Sequence, residues 1–275
     1  MTGNVSAMTT TVADLTADLE RVYPPHWAES WDAVGLVCGR GDREVTKVSL
    51  AVDCVPATVA EAAEIGAQLL LVHHPLLLRG VSTVAPDTYK GEIVHTLIES
   101  GIALYVAHTN ADVANPGVSD ALAHRLGLTD LRPLVPVEDT DRGIGRVGRL
   151  PAPETLEQFT ARAAAALPPT AWGVRAAGDP RRLVQTVAVS GGAGDSYLGH
   201  ATAAGADVYL TADLRHHPVS EHLEAAGPAL VDAAHWATEW PWLEAEAARI
   251  RAAFDVATVV SDRNTDPWTL HRSST

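Results

Sequence analysis

Short apolar runs alternate with longer amphipathic stretches along most of this chain. Apolar runs bounded by turn-forming residues are typical of buried strands, whereas apolar residues three or four positions apart indicate helices. Strands that alternate with helices predict an α/β fold. In the first half, a helix is predicted over 12–23, strands over 45–54, 68–75 and 102–110, and further helices over 56–67, 91–100 and 118–127.

The second half begins with a less regular region. This middle region runs from Thr129 to about Gly178. Proline and glycine punctuate residues 131–151, which predicts irregular strands and a crossing loop, and an alanine-rich helix is predicted next, over 153–167. We therefore divide the chain into a first α/β repeat, residues 1–129, and a second, residues 130–275. In the second repeat, strands are predicted over 183–194, 206–213, 228–235 and 255–262, and helices over 196–205, 220–227 and 238–254.

Polar residues beyond the predicted strands repeat as well. The stretch VHHPLLL of the first half returns as RHHPVSE in the second, and YVAHTNAD returns as VDAAHWATE. Each half thus carries a His-His-Pro triplet and then a histidine just beyond an apolar strand. Chance recurrence among the twelve histidines is the alternative to an internal duplication. The duplication predicts two pseudo-symmetric α/β repeats with mixed sheets.

Charge and cysteine content narrow the classes of function. A formal charge of -14, with only two lysines in 275 residues, argues against binding nucleic acid through its phosphates. Cys38 and Cys54 are too few for a disulfide scaffold and belong to no CxxC motif, so a reducing cytoplasm fits best. The N-terminus has no basic leader before an apolar segment, and no run reaches the roughly 20 apolar residues of a membrane span. We therefore expect a soluble, unexported protein with no membrane partner.

Two adjacent histidines, His73 and His74, close the apolar strand predicted over 68–75. In a continuing strand, neighbouring side chains point to opposite faces, so the strand must end there if both histidines are to serve one pocket. Pro75 favours this ending, because proline restricts the preceding residue to extended geometry and removes a ladder donor. Two diverging imidazoles could each face a different metal ion. A surface turn or two hydrogen-bonded core histidines is the alternative.

Further candidate ligands follow the other predicted strands. His235 and Glu239 lie four residues apart at the start of a predicted helix, on one helix face, although a solvated pair would show the same spacing. His108 and Asp112 fall in the predicted loop after the third strand, where Asp112 could instead be a turn or capping residue. Functional groups of open α/β sheets gather beyond the carboxyl ends of the strands, so we interpret these positions as one site. Imidazole together with carboxylate indicates a divalent transition metal.

Five sequence blocks carry a specific family resemblance: SWDAVGLVCG, LLLVHHPLLLRG, AHTNADVANPGVSDALA, AVSGGAGDSYLGHATAAGADVYLTADLRHHP and DAAHWATEWPWL. In order and spacing, from about Trp31 to Phe254, they resemble the signature blocks of the Nif-three-like dinuclear metal proteins, a family also described as type 2 GTP cyclohydrolase I. The resemblance implies two divalent metal ions per chain, with zinc, iron, manganese and nickel as candidates. It also implies that Glu239 bridges the two ions. The implied ligands are His73, His74, Asp112, His235 and Glu239.

The resemblance also implies a fold of two intertwined repeats and assembly as a homohexamer whose metal sites face an internal cavity. Two departures from the family pattern affect the second histidine block, where Ala212 replaces a glycine and Pro218 is added. The middle of the chain is too short for the domain that some relatives insert there. The apolar segments GVSTVAPDTYKG and WATEWPWLEAE are expected at the surface, as contacts between copies.

Two cations at one site favour hydrolysis, because they lower the pKa of a bound water and stabilise the entering and leaving oxygens. His108 and His217 are the candidate acid–base residues, with Asp213 as a further candidate; structural hydrogen bonding is the alternative for all three. The substrate would be a small molecule, either a nucleotide or another phosphoester or amide. The glycine-rich stretch SGGAGDSYLG could cradle a phosphate or simply allow tight packing. A non-catalytic metal-binding scaffold, or a regulatory or metal-handling protein, is the second hypothesis.

Overall fold

Two β-sheets organise residues 9–272, the part of the chain that this computed structural model describes. Each sheet belongs to its own compact unit, and each unit is assembled from two separate chain segments. Among the described residues, the first unit contains those up to Asn110 together with Glu246–Arg263, and the second contains Ala111–Ala245 together with those from Asn264 onward. The prediction of no basic leader rests partly on residues 1–8, and these lie outside the described residues.

The first unit contains a five-stranded sheet in the order β1 (Gly35–Cys38), β4 (Ala103–Val106), β3 (Leu69–Val72), β2 (Lys47–Ala51) and β11 (Ala257–Val260). β1 runs antiparallel to β4, and the other neighbours are parallel. α2 (Pro56–Glu64) connects β2 to β3, and α3 (Tyr89–Glu99) lies between β3 and β4. In the pairing register, Val72 lies beside both Ala51 and Val106, so the three central strands end at one edge of the sheet.

The strands of this sheet lie at the centre of an apolar core. Every residue of β3 and of β4 is buried, which explains the uninterrupted apolar runs in the sequence, since parallel strands are covered on both faces. Along β3 and β4, the histidines His73, His74 and His108 therefore come only beyond the strand ends. Core residues contributed by the connecting helices are Val59, Ala62, Ile93, Val94 and Leu97.

The second unit contains a six-stranded sheet in the order β5 (Thr129–Pro136), β6 (Gly143–Thr155), β8 (Leu183–Ala193), β9 (Val208–Ala212), β10 (Ala229–Ala233) and β7 (Val174–Ala177). β8, β9 and β10 are parallel, and the remaining pairings are antiparallel. α7 (Leu198–Ala203) connects β8 to β9, and α8 (His216–Glu224) connects β9 to β10. The sheet thus combines three parallel strands with antiparallel neighbours on both sides.

The two sheets confirm the predicted α/β class with mixed sheets and its internal repeat. In each unit, three parallel strands are joined by two helices, and an antiparallel edge strand, β1 or β7, pairs with the third of them. The remaining α-helices among the described residues are α1 (Val12–Val22), α4 (Thr109–Val113), α5 (Val118–Arg125), α6 (Leu156–Ala166) and α9 (His235–Ala253). Between residues 9 and 272, none of the helices is both long and apolar enough to cross a membrane.

Some details differ from the sequence predictions. The residues after His108 form the short helix α4 rather than a loop. α8 begins at His216, four residues before the predicted start, so the second His-His-Pro triplet lies on a helix whereas the first lies at a strand end. The expectation of an apolar surface at WATEWPWLEAE was wrong, because Trp236 and Trp242 are 5% and 2% exposed.

Candidate metal sites

Three histidines of the first unit converge beyond the carboxyl ends of its central strands. The ring centroids of His73 and His74 are 5.1 Å apart, and the ring of His108 lies 5.0 Å from His73 and 5.7 Å from His74. One ring nitrogen from each histidine lies within 4.8 Å of the other two. We call these residues the histidine cluster.

The end of β3 explains how two adjacent histidines reach the same place. The backbone N–H groups of His73 and His74 both donate to the carbonyl oxygen of Val52, at 3.1 and 2.9 Å. Two consecutive donors on one acceptor break the alternation of a regular strand, in which neighbouring residues face opposite sides. The strand therefore ends before the histidine pair, and both rings can approach His108.

Each imidazole of the cluster is held through its Nδ1 atom. His73 Nδ1 lies 2.8 Å from the carbonyl oxygen of Ala107. His74 Nδ1 lies 2.7 Å from Asp53 Oδ1, and His108 Nδ1 lies 2.9 Å from Asp32 Oδ1. A hydrogen bond from Nδ1 to a carbonyl or carboxylate fixes the tautomer and the ring orientation. The other ring nitrogen of each histidine, Nε2, is then the atom that can bind a metal.

Asp32 organises the His108 side of the cluster. Its side chain is fully buried and accepts hydrogen bonds from the backbone N–H of Thr109 at 3.1 Å and from the Thr109 hydroxyl at 2.5 Å. Burial acts to raise the pKa of Asp32, but the hydrogen bonds from His108 and Thr109 outweigh it and hold that pKa well below its usual range. Asp32 therefore remains a carboxylate that orients His108.

Asp53 is expected to be important for metal affinity through His74. Replacing Asp53 with asparagine removes the negative charge beside Nδ1, which should lower the affinity for a divalent metal by about tenfold or more. Asp87→Asn, at an exposed position of the same unit, is the matched control and should bind metal as the wild type does. Isothermal titration of zinc into the metal-free proteins measures the difference. Equal affinities for Asp53→Asn and wild type would show that Asp53 has no such role.

A second group of possible ligands lies in the second unit, where α9 begins. His235 and Glu239 are one helical turn apart, and His235 Nε2 lies 3.0 Å from Glu239 Oε1. His235 Nδ1 lies 2.7 Å from Asp213 Oδ2. β9 and β10 end side by side, with Ala212 paired to Ala233, and this register places Asp213 next to His235. We call His235 and Glu239 the His–Glu pair.

The carboxylates around His235 change its proton affinity. The negative charge of Glu239, together with the hydrogen bonds to Asp213 and Glu239, outweighs the effect of burial and raises the pKa of His235 to about 11. In the absence of metal, His235 is therefore a cation between two carboxylates. A divalent metal would take the place of that proton, since a histidine must be neutral to bind metal.

A glycine near the end of β8, Gly192, lies against the His–Glu pair. Gly192 has a φ of +65°, and a Cβ at this position would lie 2.5 Å from Glu239 Oε1 and 3.0 Å from His235 Nε2. Its N–H donates to the hydroxyl of Thr238, at 2.9 Å. The sequence allowed two roles for the glycine-rich stretch, phosphate binding or close packing. At Gly192, the lack of a side chain makes room for the candidate ligands, which is close packing.

The structure places the other predicted residues as follows. Asp112 is half-buried on α4, the short helix that follows His108. His217 is exposed in the first turn of α8, with its ring 5.1 Å from that of His216. Within residues 9–272, His217 belongs to none of the groups that could hold a metal ion. Its role as an acid–base residue stays a prediction.

Sequence reasoning missed Asp32 and Asp53. Asp53 follows β2 by two residues at the edge where the histidines lie, so the rule that functional groups follow parallel strands could have found it. Asp32 precedes its partner His108 by 76 positions and follows no predicted strand. Only the fold brings it to the cluster.

The donor atoms fit a divalent transition metal. Neutral imidazole and carboxylate are ligands for zinc, iron, nickel and manganese, and each histidine of the cluster has the supporting hydrogen bond that metal-binding histidines usually have. The His–Glu pair offers the same two donor types, with Asp213 as the support for His235. Both groups can therefore contribute to metal binding.

In the metal-free protein, His235 should make stability depend on pH. Its folded-state pKa of about 11 lies above the unfolded value of about 6.5, so its contribution is complete below about pH 6.5 and is lost as the pH rises toward 11. Chemical denaturation between about pH 6 and 9 should show a free energy of unfolding that falls more steeply with pH in wild type than in His235→Gln. His26→Gln, at an exposed position, should retain the wild-type slope. Identical slopes for His235→Gln and wild type would refute the assignment.

The chain has an α/β fold of two related units, and each unit has possible metal ligands beyond its parallel strands. These features place it in the class of candidate metal-binding proteins. The chain belongs to the Duf34/NIF3 (NGG1p interacting factor 3) family, whose sequence pattern matches residues 10–267. It is 55% identical over 272 residues to the GTP cyclohydrolase 1 type 2 homolog of Streptomyces coelicolor, covering 96% of this chain and 95% of that protein.

A solved structure and a second relative are also similar to this chain. A Staphylococcus aureus hypothetical protein, SA1388, has a similar structure with a TM-score of 0.86 and 30% identity, covering 96% of this chain and 100% of that one. The GTP cyclohydrolase 1 type 2 homolog of Mycobacterium tuberculosis is 40% identical over an alignment of 372 positions that covers 96% of this chain and 98% of that protein. That alignment is longer than the 275 residues of this chain, as expected if this chain has the compact form without an inserted domain.

Proposed function

We propose that this protein is a dinuclear metal-dependent hydrolase. His73, His74, Asp112, His235 and Glu239 would hold the two divalent ions, with Glu239 shared between them. The observation that carries the proposal is the convergence of His73 and His74, whose rings are both held by hydrogen bonds at Nδ1, with a nitrogen of His108 within 4.8 Å of a nitrogen of each. Zinc, iron, manganese and nickel all suit these donors.

His108 would handle protons in the reaction. A pair of divalent ions would supply Lewis acidity, which lowers the pKa of water and stabilises negative charge that develops on a substrate oxygen. Asp32 holds His108 at Nδ1, so His108 would accept and return protons at Nε2. The buried Asp32 carboxylate would stabilise the imidazolium that forms when His108 accepts a proton.

We propose a small-molecule substrate with an electrophilic carbon or phosphorus, either a nucleotide or another phosphoester or cyclic amide. The nucleotide alternative is supported by the name of the relatives, GTP cyclohydrolase 1 type 2 homolog.

Cytoplasmic location is supported by the two cysteines, Cys38 and Cys54, which are both free thiols.

The test compares turnover with metal content. Wild type reconstituted with each of the four metals is assayed against GTP, a phosphomonoester, a phosphodiester and a cyclic amide. One of these should be hydrolysed with saturation kinetics, and His108→Gln should keep both metal ions while kcat falls about 100-fold or more. His95→Gln, on an exposed part of α3, is the control. Loss of metal in His108→Gln would make His108 a ligand instead, and an absence of saturable hydrolysis with every metal would contradict a hydrolase.

A non-catalytic metal-binding scaffold is the second candidate function.

Exposed apolar residues favour assembly of several copies of this chain, whether it is a hydrolase or a scaffold. Val81, Val84 and Tyr89, around the segment GVSTVAPDTYKG, are 44%, 43% and 62% exposed, and such residues on one segment indicate a contact surface. We propose that copies of this chain assemble as a homohexamer through it. Light scattering should report six chains per particle, and Val84→Glu should reduce that number. A stable monomer at micromolar concentration would contradict assembly.

A further inference from the structure

A cavity of about 410 Å³ lies in the second unit, bordered by α8 and by the strands β7 and β10. Its volume falls in the range of about 300–1,000 Å³ that is usual for small-molecule sites. None of the candidate metal ligands lines it. The lining combines the basic or polar residues Arg175, Arg215 and His216 with the apolar residues Val219, Leu223 and Leu230.

The two arginines of this cavity each retain a donor group. Arg175 binds Asp232 Oδ2 through Nε at 2.8 Å and Nη2 at 2.6 Å, and Arg215 binds Asp195 Oδ2 through Nε at 2.6 Å and Nη2 at 2.5 Å. Across residues 9–272, the Nη1 group of either arginine has no hydrogen-bond partner. A guanidinium that is oriented by one carboxylate can bind a second anion through such a group.

The start of α8 adds to this positive character. Its first turn contains no acidic side chain, and no side chain caps it. Asp232 is the acidic residue in the lining, and it is already paired with Arg175. A helix start carries partial positive charge, which reinforces the two arginines.

The lining also offers apolar contacts. α8 has no fully buried residue, and Val219 and Leu223, its apolar residues in the lining, are only half-buried. Together with Leu230 on β10, they provide an apolar surface beside the arginines. The chemistry of the cavity therefore matches a ligand with one charged end and one apolar end.

We propose that this cavity binds a small organic anion, a carboxylate or a phosphate monoester, whose charged group pairs with Arg175 and Arg215 and whose apolar body contacts Val219 and Leu223. The cavity is a site separate from the candidate metal ligands, and the proposal does not depend on the proposed hydrolase activity. Metal-free protein is therefore used in the test, so that its outcome is independent of metal binding and turnover.

Four probes separate the two halves of the ligand in isothermal titration calorimetry. Phenyl phosphate and benzoate carry both a charged group and an apolar ring, whereas inorganic phosphate has only the charge and benzyl alcohol lacks it. At least one of the first two should bind about tenfold or more tightly than both half-probes, and the tighter one identifies the charged group. If neither phenyl phosphate nor benzoate binds more tightly than the half-probes, the proposal is wrong.

Variants then locate the binding site. Arg215→Gln should weaken the better probe about tenfold, whereas Arg181→Gln, at an exposed arginine outside the lining, should not change its affinity. Leu223→Asp should weaken it as well, by placing a negative charge on the apolar wall. Arg175 is left intact in this test, because its removal would leave the buried Asp232 without its partner. Unchanged affinity in both Arg215→Gln and Leu223→Asp would place the binding elsewhere and overturn the proposal.

Trp172 provides an independent signal. The Arg175 guanidinium carbon lies 4.4 Å from the centre of the Trp172 ring, so a ligand that pairs with Arg175 should change Trp172 fluorescence. The change should be absent in Trp172→Phe and present in Trp31→Phe, a control at an exposed tryptophan. An equal change in Trp172→Phe and wild type would contradict binding beside Arg175.

Discussion

Replacing Glu239 with glutamine should reduce the metal content of the protein from about two ions per chain to one or none. The Glu239 side chain is 4% exposed and lies 3.0 Å from His235 Nε2, so it can offer a negatively charged oxygen at a place that water barely reaches. Glutamine has nearly the same volume but no charge, and a neutral amide is a poor ligand for two cations. The fold should survive the change, since the side chain is replaced rather than removed. Elemental analysis of reconstituted protein gives the metal content.

Glu244→Gln is the matched control for this experiment. Glu244 belongs to the same helix, α9, but its side chain is 50% exposed and pairs with Arg125. This variant should retain the metal content of the wild type, and both variants should keep the wild-type circular dichroism. Two ions per chain in Glu239→Gln would exclude Glu239 as a shared ligand.

Gly192→Ala should disrupt the same site from the opposite side. The added methyl would lie 2.5 Å from Glu239 Oε1 and 3.0 Å from His235 Nε2, so the loop or the two ligands must move. The φ of +65° adds a conformational cost of about 1 kcal/mol for a residue with a Cβ. We expect metal affinity to fall about tenfold or more and the melting temperature of the metal-free protein to decrease.

Gly199→Ala serves as the control for this substitution. Gly199 lies on α7, has no atom within 4 Å of the position that its Cβ would occupy, and needs no left-handed backbone conformation. Alanine there should leave metal affinity unchanged and should not reduce stability, because alanine favours helices over glycine. If Gly192→Ala binds metal as tightly as Gly199→Ala, close packing at Gly192 is not needed by the site.

The sequence was most informative where strands are covered on both faces. β3 and β4 are buried along their full length, so they appear in the sequence as continuous apolar runs, and the polar residues that follow them mark one edge of the sheet. β1 and β7 were not predicted. Each has only four residues, pairs with a single strand at the border of a sheet and is partly exposed, so neither gives the long apolar run of a buried strand.

The candidate site was predictable in part for the same reason. His73, His74 and His108 follow buried strands, and the spacing of His235 and Glu239 places both on one helix face. The hydrogen bonds that orient the rings were not predictable, because they join residues that are distant in the sequence. Asp53 precedes His74 by 21 positions and Asp213 precedes His235 by 22, and only the strand register makes them neighbours.

The measurement that tests the dinuclear proposal most directly is the number of metal ions per chain in the wild-type protein. Metal-free protein is reconstituted separately with zinc, iron(II), manganese and nickel, and loosely bound ions are removed before elemental analysis. We predict about two ions per chain with at least one of these metals, and fewer in Glu239→Gln. One ion per chain or fewer with all four metals would contradict the dinuclear proposal. The histidine cluster would then be a strand end whose imidazoles are held by hydrogen bonds without a metal.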